Sequence, residues 1–116
     1  MAKKDKHYEP IVLEDGNGGE IVLEFNRAVV KMMERDGMPS TAIGDLLREE
    51  TFTTLDRMVY YAMLMHKPDA TKEEAELLTG EIGYQPDFTT DLLGLYVQTA
   101  TAMQTGAKNP RWAIRK

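Results

Sequence analysis

The side chains in this 116-residue sequence that could do chemistry are few, and their spacing keeps them apart. Cysteine is absent, which removes thiol catalysis, thiolate zinc sites and a disulfide scaffold together. His7 lies in a polar terminal segment, and His66 stands beside Lys67 at the end of a predicted helix, where the helix dipole favours a cation. Neither belongs to an H-x-x-x-H or E-x-x-H pattern, so no histidine metal site is expected. Glu73, Glu74 and Glu76 cluster where a helix should start, and carboxylates are stabilised there by unpaired amides. The only serine, Ser40, has no histidine near it in sequence. A catalytic centre needs a nucleophile, a base and stabilising groups in one place. None is expected, so the chain reads as a non-enzyme with no cofactor.

The acidic, glycine-rich stretch Asp15-Gly16-Asn17-Gly18-Gly19 resembles a cation loop only in part. Asp15 and Asn17 alternate suitably, but Gly19 stands at the third ligand position and no glutamate follows at the spacing calcium requires. It lacks the lysine and hydroxyl residue of a phosphate loop. It reads as a turn.

Binding is the stronger theme. Eight methionines in a chain of this size supply flexible, polarisable side chains suited to irregular surfaces. Met33, Met58, Met63 and Met103 fall on predicted core stripes. Met32, Met65 and Tyr61 fall off them and are the candidate partner contacts. The charge narrows the partner: once the basic ends (Lys3, Lys4, Lys6 and Lys108, Arg111, Arg115, Lys116) and Asp5 are set aside, 18 acids face 7 bases between Glu9 and Asp91. An acidic body repels phosphate backbones, so nucleic acid is not expected as a ligand. The longest fully apolar run, Met58 to Met65, is too short to span a bilayer, and no apolar stretch follows the N-terminal lysines, so no membrane segment or signal peptide is expected.

The elements that would position these residues form one mainly α domain: a small bundle of about five helices with an N-terminal β-hairpin. Residues 1–7 are polar and expected to be disordered, the hairpin occupies 8–25, the bundle 26–105, and a basic tail 106–116. Two β-branched runs around the Asp/Gly/Asn turn predict the hairpin. Its alternation places Ile11 and Leu13 with Ile21, Leu23 and Phe25 on one face, leaving Val12 and Val22 on the outer face as candidates for self-assembly. Asn26 should cap a helix to Asp36 that buries Val29, Val30 and Met33 and stops at Gly37. Ser40 or Thr41 should cap a weaker helix through Ala42, Ile43, Leu46 and Leu47, and Thr51, Thr53 and Thr54 should break the pattern after it. The central helix is expected from Thr53 to Lys67, ended by Pro68 and apolar nearly all round. Thr71 and Glu74 form a capping box for a short helix carrying Ala75, Leu77 and Leu78, closed by Gly80 and Gly83. A last helix, about Phe88 to Gln104, carries Leu92, Leu95, Tyr96, Thr99 and Met103 as a stripe. Trp112 and Ile114 are the candidate anchors of the tail.

The run Ile21-Val22-Leu23-Glu24-Phe25-Asn26-Arg27-Ala28-Val29-Val30-Lys31-Met32-Met33-Glu34-Arg35-Asp36-Gly37 resembles the opening of the tail assembly chaperones of long-tailed phages and prophages. In them a strand ending in phenylalanine runs into a "K-x-M-E-x-x-G" helix. The likeness continues through Met38-Pro39, Met58 to Met65, His66-Lys67-Pro68, Thr71 to Leu78, and Leu92 to Tyr96, covering about residues 20 to 105. The resemblance implies a non-enzymatic chaperone that binds and solubilises the tape-measure protein in the host cytoplasm, helps recruit tail-tube subunits, forms homo-oligomers, and is absent from the mature virion. It carries no catalytic residues over. The alternatives are a small phage structural protein, such as a head–tail connector or tail completion protein, or a bacterial adaptor or regulatory domain.

Overall fold

The computed structural model describes residues 7–115, with two strands and five helices among them. The segment 1–7 expected to be disordered lies outside the described residues except for His7, which is exposed. Strand β1 (Ile11–Glu14) pairs antiparallel with β2 (Glu20–Leu23) in the register Ile11–Leu23, Val12–Val22, Leu13–Ile21, Glu14–Glu20. Turn chemistry explains why the chain reverses here. Asp15 Oδ1 accepts the N–H groups of Asn17 (2.7 Å) and Gly19 (2.9 Å), and Gly16 and Gly18 take φ of +81° and +87°, a region that side chains disfavour. Those two N–H donors hold the Asp15 carboxyl below its ordinary range. The hairpin's inner face is buried against the helices, with Leu23 fully enclosed, and Glu24 N–H donates to Ala62 O at 3.0 Å. A two-stranded ribbon that would be marginal alone is thereby tied to the bundle.

Helix α1 (Arg27–Arg35) starts where Asn26 Oδ1 accepts Val29 N–H at 2.8 Å, and it buries Val29, Val30 and Met33. Gly37, at φ +88°, turns the chain, and the fully buried Met38 donates its N–H to Met33 O at 2.8 Å. Helix α2 (Ser40–Glu49) departs from expectation: neither Ser40 nor Thr41 caps it. Pro39 occupies the cap position at φ −69° and its carbonyl receives Ala42 N–H, so Ser40 is already helical and its hydroxyl cannot serve as the cap.

Helix α3 (Thr51–Leu64) begins earlier than expected, after a break at Glu50 (φ −136°, ψ 57°). The threonines do not interrupt it. Thr51 Oγ1 donates to Leu47 O (2.5 Å), and Thr54 Oγ1 donates to Leu46 O (3.1 Å), which also accepts Glu50 N–H (2.8 Å), so both hydroxyls bond carbonyls at the end of α2. The helix also stops short of Lys67. His66 and Lys67 N–H both converge on Met63 O, which closes the last turn before Pro68 is reached. Leu55, Met58, Val59, Tyr61, Ala62 and Met63 are all buried, and α3 touches each of the other four helices and β2. It is the axis of the core.

Helix α4 (Lys72–Ile82) carries both halves of the capping box: Thr71 Oγ1 accepts Glu74 N–H and Glu74 Oε1 accepts Thr71 N–H, each at 3.1 Å. Gly80 lies within this helix, and Gly83 (φ +76°) ends it. Ala75 and Thr79 face inward, four residues apart, which turns Leu77 to solvent at 72% exposed. Helix α5 (Pro86–Thr105) opens on a proline in its first turn, buries Leu92, Leu95 and Tyr96, and ends at Gly106 (φ +72°). The Phe25 and Tyr96 rings meet edge to face at 5.6 Å, joining the end of the hairpin to α5.

Candidate functional site

Among the residues singled out as partner contacts, Tyr61 is placed otherwise than expected. It is 1% exposed and belongs to the core. Its hydroxyl donates to Asp36 Oδ2 at 2.6 Å, while Arg57 Nη2 donates to Asp36 O at 2.9 Å, so the end of α1 is stapled to α3. Burial first, and the Asp36 carboxylate next, push the Tyr61 hydroxyl up to about 12. A residue off the apolar stripe of a helix is still covered when a polar partner on a neighbouring helix receives its hydroxyl. Met32 is half-buried against the core, whereas Met65, which caps α3, remains 39% exposed.

Val12 is 50% exposed on the outer face of the hairpin, directly opposite the half-buried Val22. Trp112 and Ile114 do not anchor the tail. They are 77% and 90% exposed, and every residue from Gly106 to Arg115 is exposed. The Trp112 ring lies against the neighbouring Arg111 guanidinium, 5.0 Å from its centroid, because α5 ends at Thr105 and the segment beyond it has no helix or strand to lay the ring on the bundle.

Two apolar features emerge that the sequence reading did not single out. The first is an aromatic platform. Phe52, at the start of α3, is 61% exposed and its ring lies 4.7 Å from that of Tyr84 in the α4–α5 connection. Asp56 holds the platform in place: its Oδ1 accepts the Tyr84 hydroxyl at 2.7 Å and the buried Thr79 hydroxyl at 2.6 Å. Burial and then the Asp56 carboxylate raise the Tyr84 hydroxyl above its ordinary value. The stripe Leu55, Val59, Ala62 extends back by one turn to Phe52, and that spacing was the available signal for it.

The second feature is a groove of about 680 Å³ on α5 between Leu93, Val97 and Thr101, with Tyr8 on its rim and Val97 56% exposed. Tyr8 is clamped there by both ends of the Gln98 amide: Tyr8 N–H donates to Gln98 Oε1 (2.7 Å), and Gln98 Nε2 donates to Tyr8 O (3.1 Å). The Tyr8 ring fills the space over Gly94 that a Cβ would need.

Two pairs of titratable side chains hold segments together. His66 Nε2 lies 2.8 Å from Glu24 Oε1, linking the end of α3 to the hairpin, and Lys67 Nζ lies 2.9 Å from Glu74 Oε2, linking α3 to the start of α4. That lysine is the main cause of the lowered Glu74 carboxyl, with the Thr71 N–H adding to it. Among the described residues no group of three acids or histidines is arranged to hold a metal ion, and no helix is long and apolar enough to cross a membrane. What the arrangement offers is contact surface: a tilted aromatic pair, protruding aliphatic side chains, and an apolar groove.

The chain belongs to the family described as "Domain of unknown function (DUF5055)", whose profile matches residues 1–115. No curated protein and no solved structure matches the chain.

Proposed function

We propose that this protein is a tail assembly chaperone of a long-tailed phage or prophage, which binds the tape-measure protein, keeps it soluble and helps recruit tail-tube subunits around it. The order and spacing of elements from Ile21 to Tyr96 support this reading, and the observation that carries it physically is the exposed Phe52–Tyr84 platform. A phenylalanine left 61% exposed forgoes about 1–2 kcal/mol of burial. It is retained here on a rigid scaffold, with Tyr84 fixed by Asp56. Such a surface suits the apolar stripe of a client helix. Leu77 on α4 and Met65 at the end of α3 present further apolar contacts of the adaptable kind. The site of action is the host cytoplasm during assembly, and several copies act together.

Co-expression with the tape-measure protein encoded nearest to its gene, followed by size-exclusion chromatography of the soluble fraction, tests the proposal. The tape measure should become soluble and co-elute with this chain. Phe52→Asp and Met65→Glu should each reduce co-elution while leaving the circular dichroism of the chain unchanged. A tape measure that stays insoluble, or recovery of this chain from purified virions as a permanent component, would sink the reading in favour of a structural phage protein.

A further inference from the structure

The outer face of the hairpin and the C-terminal segment are both uncovered, and their chemistry is complementary. On the hairpin, Val12 and Val22 stand opposite each other, and next to them Glu14 and Glu20 are also directly opposed. Like charges at opposed positions weaken a ribbon, and neither glutamate has an ion-pair partner among the described residues. Asp15 adds a third negative charge at the same end, kept ionised by the Asn17 and Gly19 N–H groups.

The segment Arg111-Trp112-Ala113-Ile114-Arg115 has the converse pattern: two large apolar side chains two residues apart, flanked by two arginines, with no acid after Asp91. Drawn out, it spans about 13 Å, enough to cross the two-strand ribbon, whose strands lie about 5 Å apart, and to place one arginine beside each strand. Trp112 and Ile114 would share one face, and the long stems of Arg111 and Arg115 reach round a strand to carboxylates beside it.

We propose that the hairpin's outer face binds the Arg111–Arg115 segment of a second copy of this chain, with Trp112 and Ile114 over Val12 and Val22 and the arginines on Glu14 and Glu20. The chain's own segment does not serve this face, since Val12 is 50%, Trp112 77% and Ile114 90% exposed. The contact is head-to-tail. Each copy offers one hairpin and one tail, so copies add in a row unless the rotation happens to close a ring. The inference rests on the self-assembly part of the proposed function alone. Its test contains no client, so its failure leaves client binding standing.

Sedimentation of the full chain, followed over concentration in low-salt and high-salt buffer, provides the test. The parent mass should rise with concentration at low salt and fall back in high salt, because exposed ion pairs are screened. The pair Glu14→Lys with Glu20→Lys should give a monomer, as should Arg111→Glu with Arg115→Glu. Mixing these two variants in equal amounts should restore association, since each hairpin then meets a tail of opposite sign. Trp112→Ser with Ile114→Ser changes side chains that do not pack in the isolated fold, and it should also give a monomer. A parent that is monomeric at every concentration, a tail variant that associates like the parent, or a folded pair of charge-reversed variants that fails to associate when mixed would overturn the proposal.

Discussion

Replacing Gly94 by alanine should destabilise this protein, the reverse of what alanine does inside most helices. In an exposed helix interior the substitution is favourable by about 1 kcal/mol. Here the new methyl would fall on the Tyr8 ring carbons Cζ, Cε1 and Cε2, so the ring must leave. Its departure breaks the pair of hydrogen bonds between the Tyr8 backbone and the Gln98 amide, each with a net contribution of about 1 kcal/mol. It also re-exposes about 100 Å² of ring, a further loss of about 2.5 kcal/mol. Freedom regained by Tyr8 returns about 1–2 kcal/mol, and the helix preference of alanine about 1 kcal/mol. The net result is a loss of about 2 kcal/mol. Urea unfolding of the parent, Gly94→Ala, Tyr8→Ala and the double variant measures it. In the Tyr8→Ala background the same Gly94→Ala change should instead stabilise by about 1 kcal/mol, because nothing then occupies the space above the helix. If Gly94→Ala stabilises both backgrounds equally, the Tyr8 ring does not rest on Gly94 and the argument fails.

Further outcomes follow from buried or capped groups. Tyr96 is 4% exposed, and its hydroxyl is the one buried side-chain polar atom without a hydrogen-bond partner among the described residues, so Tyr96→Phe should be neutral or stabilise by up to about 1 kcal/mol in urea melts. The Tyr61 hydroxyl is raised from 10.0 to about 12, and a raised pKa in the folded state contributes stability that is complete below pH 10 and lost as the pH climbs toward 12. A stability–pH profile of Tyr61→Phe should therefore be flatter than the parent's across that window. Thr71→Ala removes the hydroxyl that receives Glu74 N–H and should cost about 1 kcal/mol, read as a lower melting temperature. The Glu74 carboxyl, lowered by Lys67 and the Thr71 N–H, contributes stability above pH 4.5 that disappears as the pH falls through its folded value.

Features governed by neighbouring residues were legible in the sequence. The Asn26 cap, the Thr71–Glu74 box and the glycine-dependent hairpin turn each depend on atoms within a few positions of one another, so residue types and spacing suffice. The central helix and its buried stripe followed from a period that no strand could satisfy. Features set by a distant partner were not legible. Thr51 and Thr54 look like helix breakers until the end of α2 supplies carbonyls for their hydroxyls. Tyr61 lies off its helix's main stripe, yet Asp36, 25 residues away, brings it inside. Gly94 has no local reason to be glycine, because the ring above it belongs to Tyr8, at the other end of the chain. The surface was legible in the same uneven way. The outward placement of Val12 follows from strand alternation, whereas the platform of Phe52 requires Tyr84, whose position is set through Asp56.

The division of the surface bears on how the two proposals fit together. The aromatic platform belongs to α3 and the α4–α5 connection, whereas the complementary charges belong to the hairpin and the segment after α5. The platform sits at the start of α5 and the basic segment follows its end, about 30 Å away along the helix, so a copy engaged through its tail keeps its platform free. A symmetric dimer formed through one shared patch would close after two copies and cover a fixed length of client. A head-to-tail contact places no such limit, and the number of copies is then set by the length of the client. Each weak helix-face contact also gains from its neighbours once copies are linked, because later contacts form at high effective concentration. Breaking the hairpin–tail contact should therefore lower client affinity steeply for a long tape measure and only slightly for a fragment one helix long. Titrating both clients against the Arg111→Glu, Arg115→Glu variant would show this. An equal loss on the two would mean that the tail touches the client itself, and the row of copies would no longer be needed to explain binding.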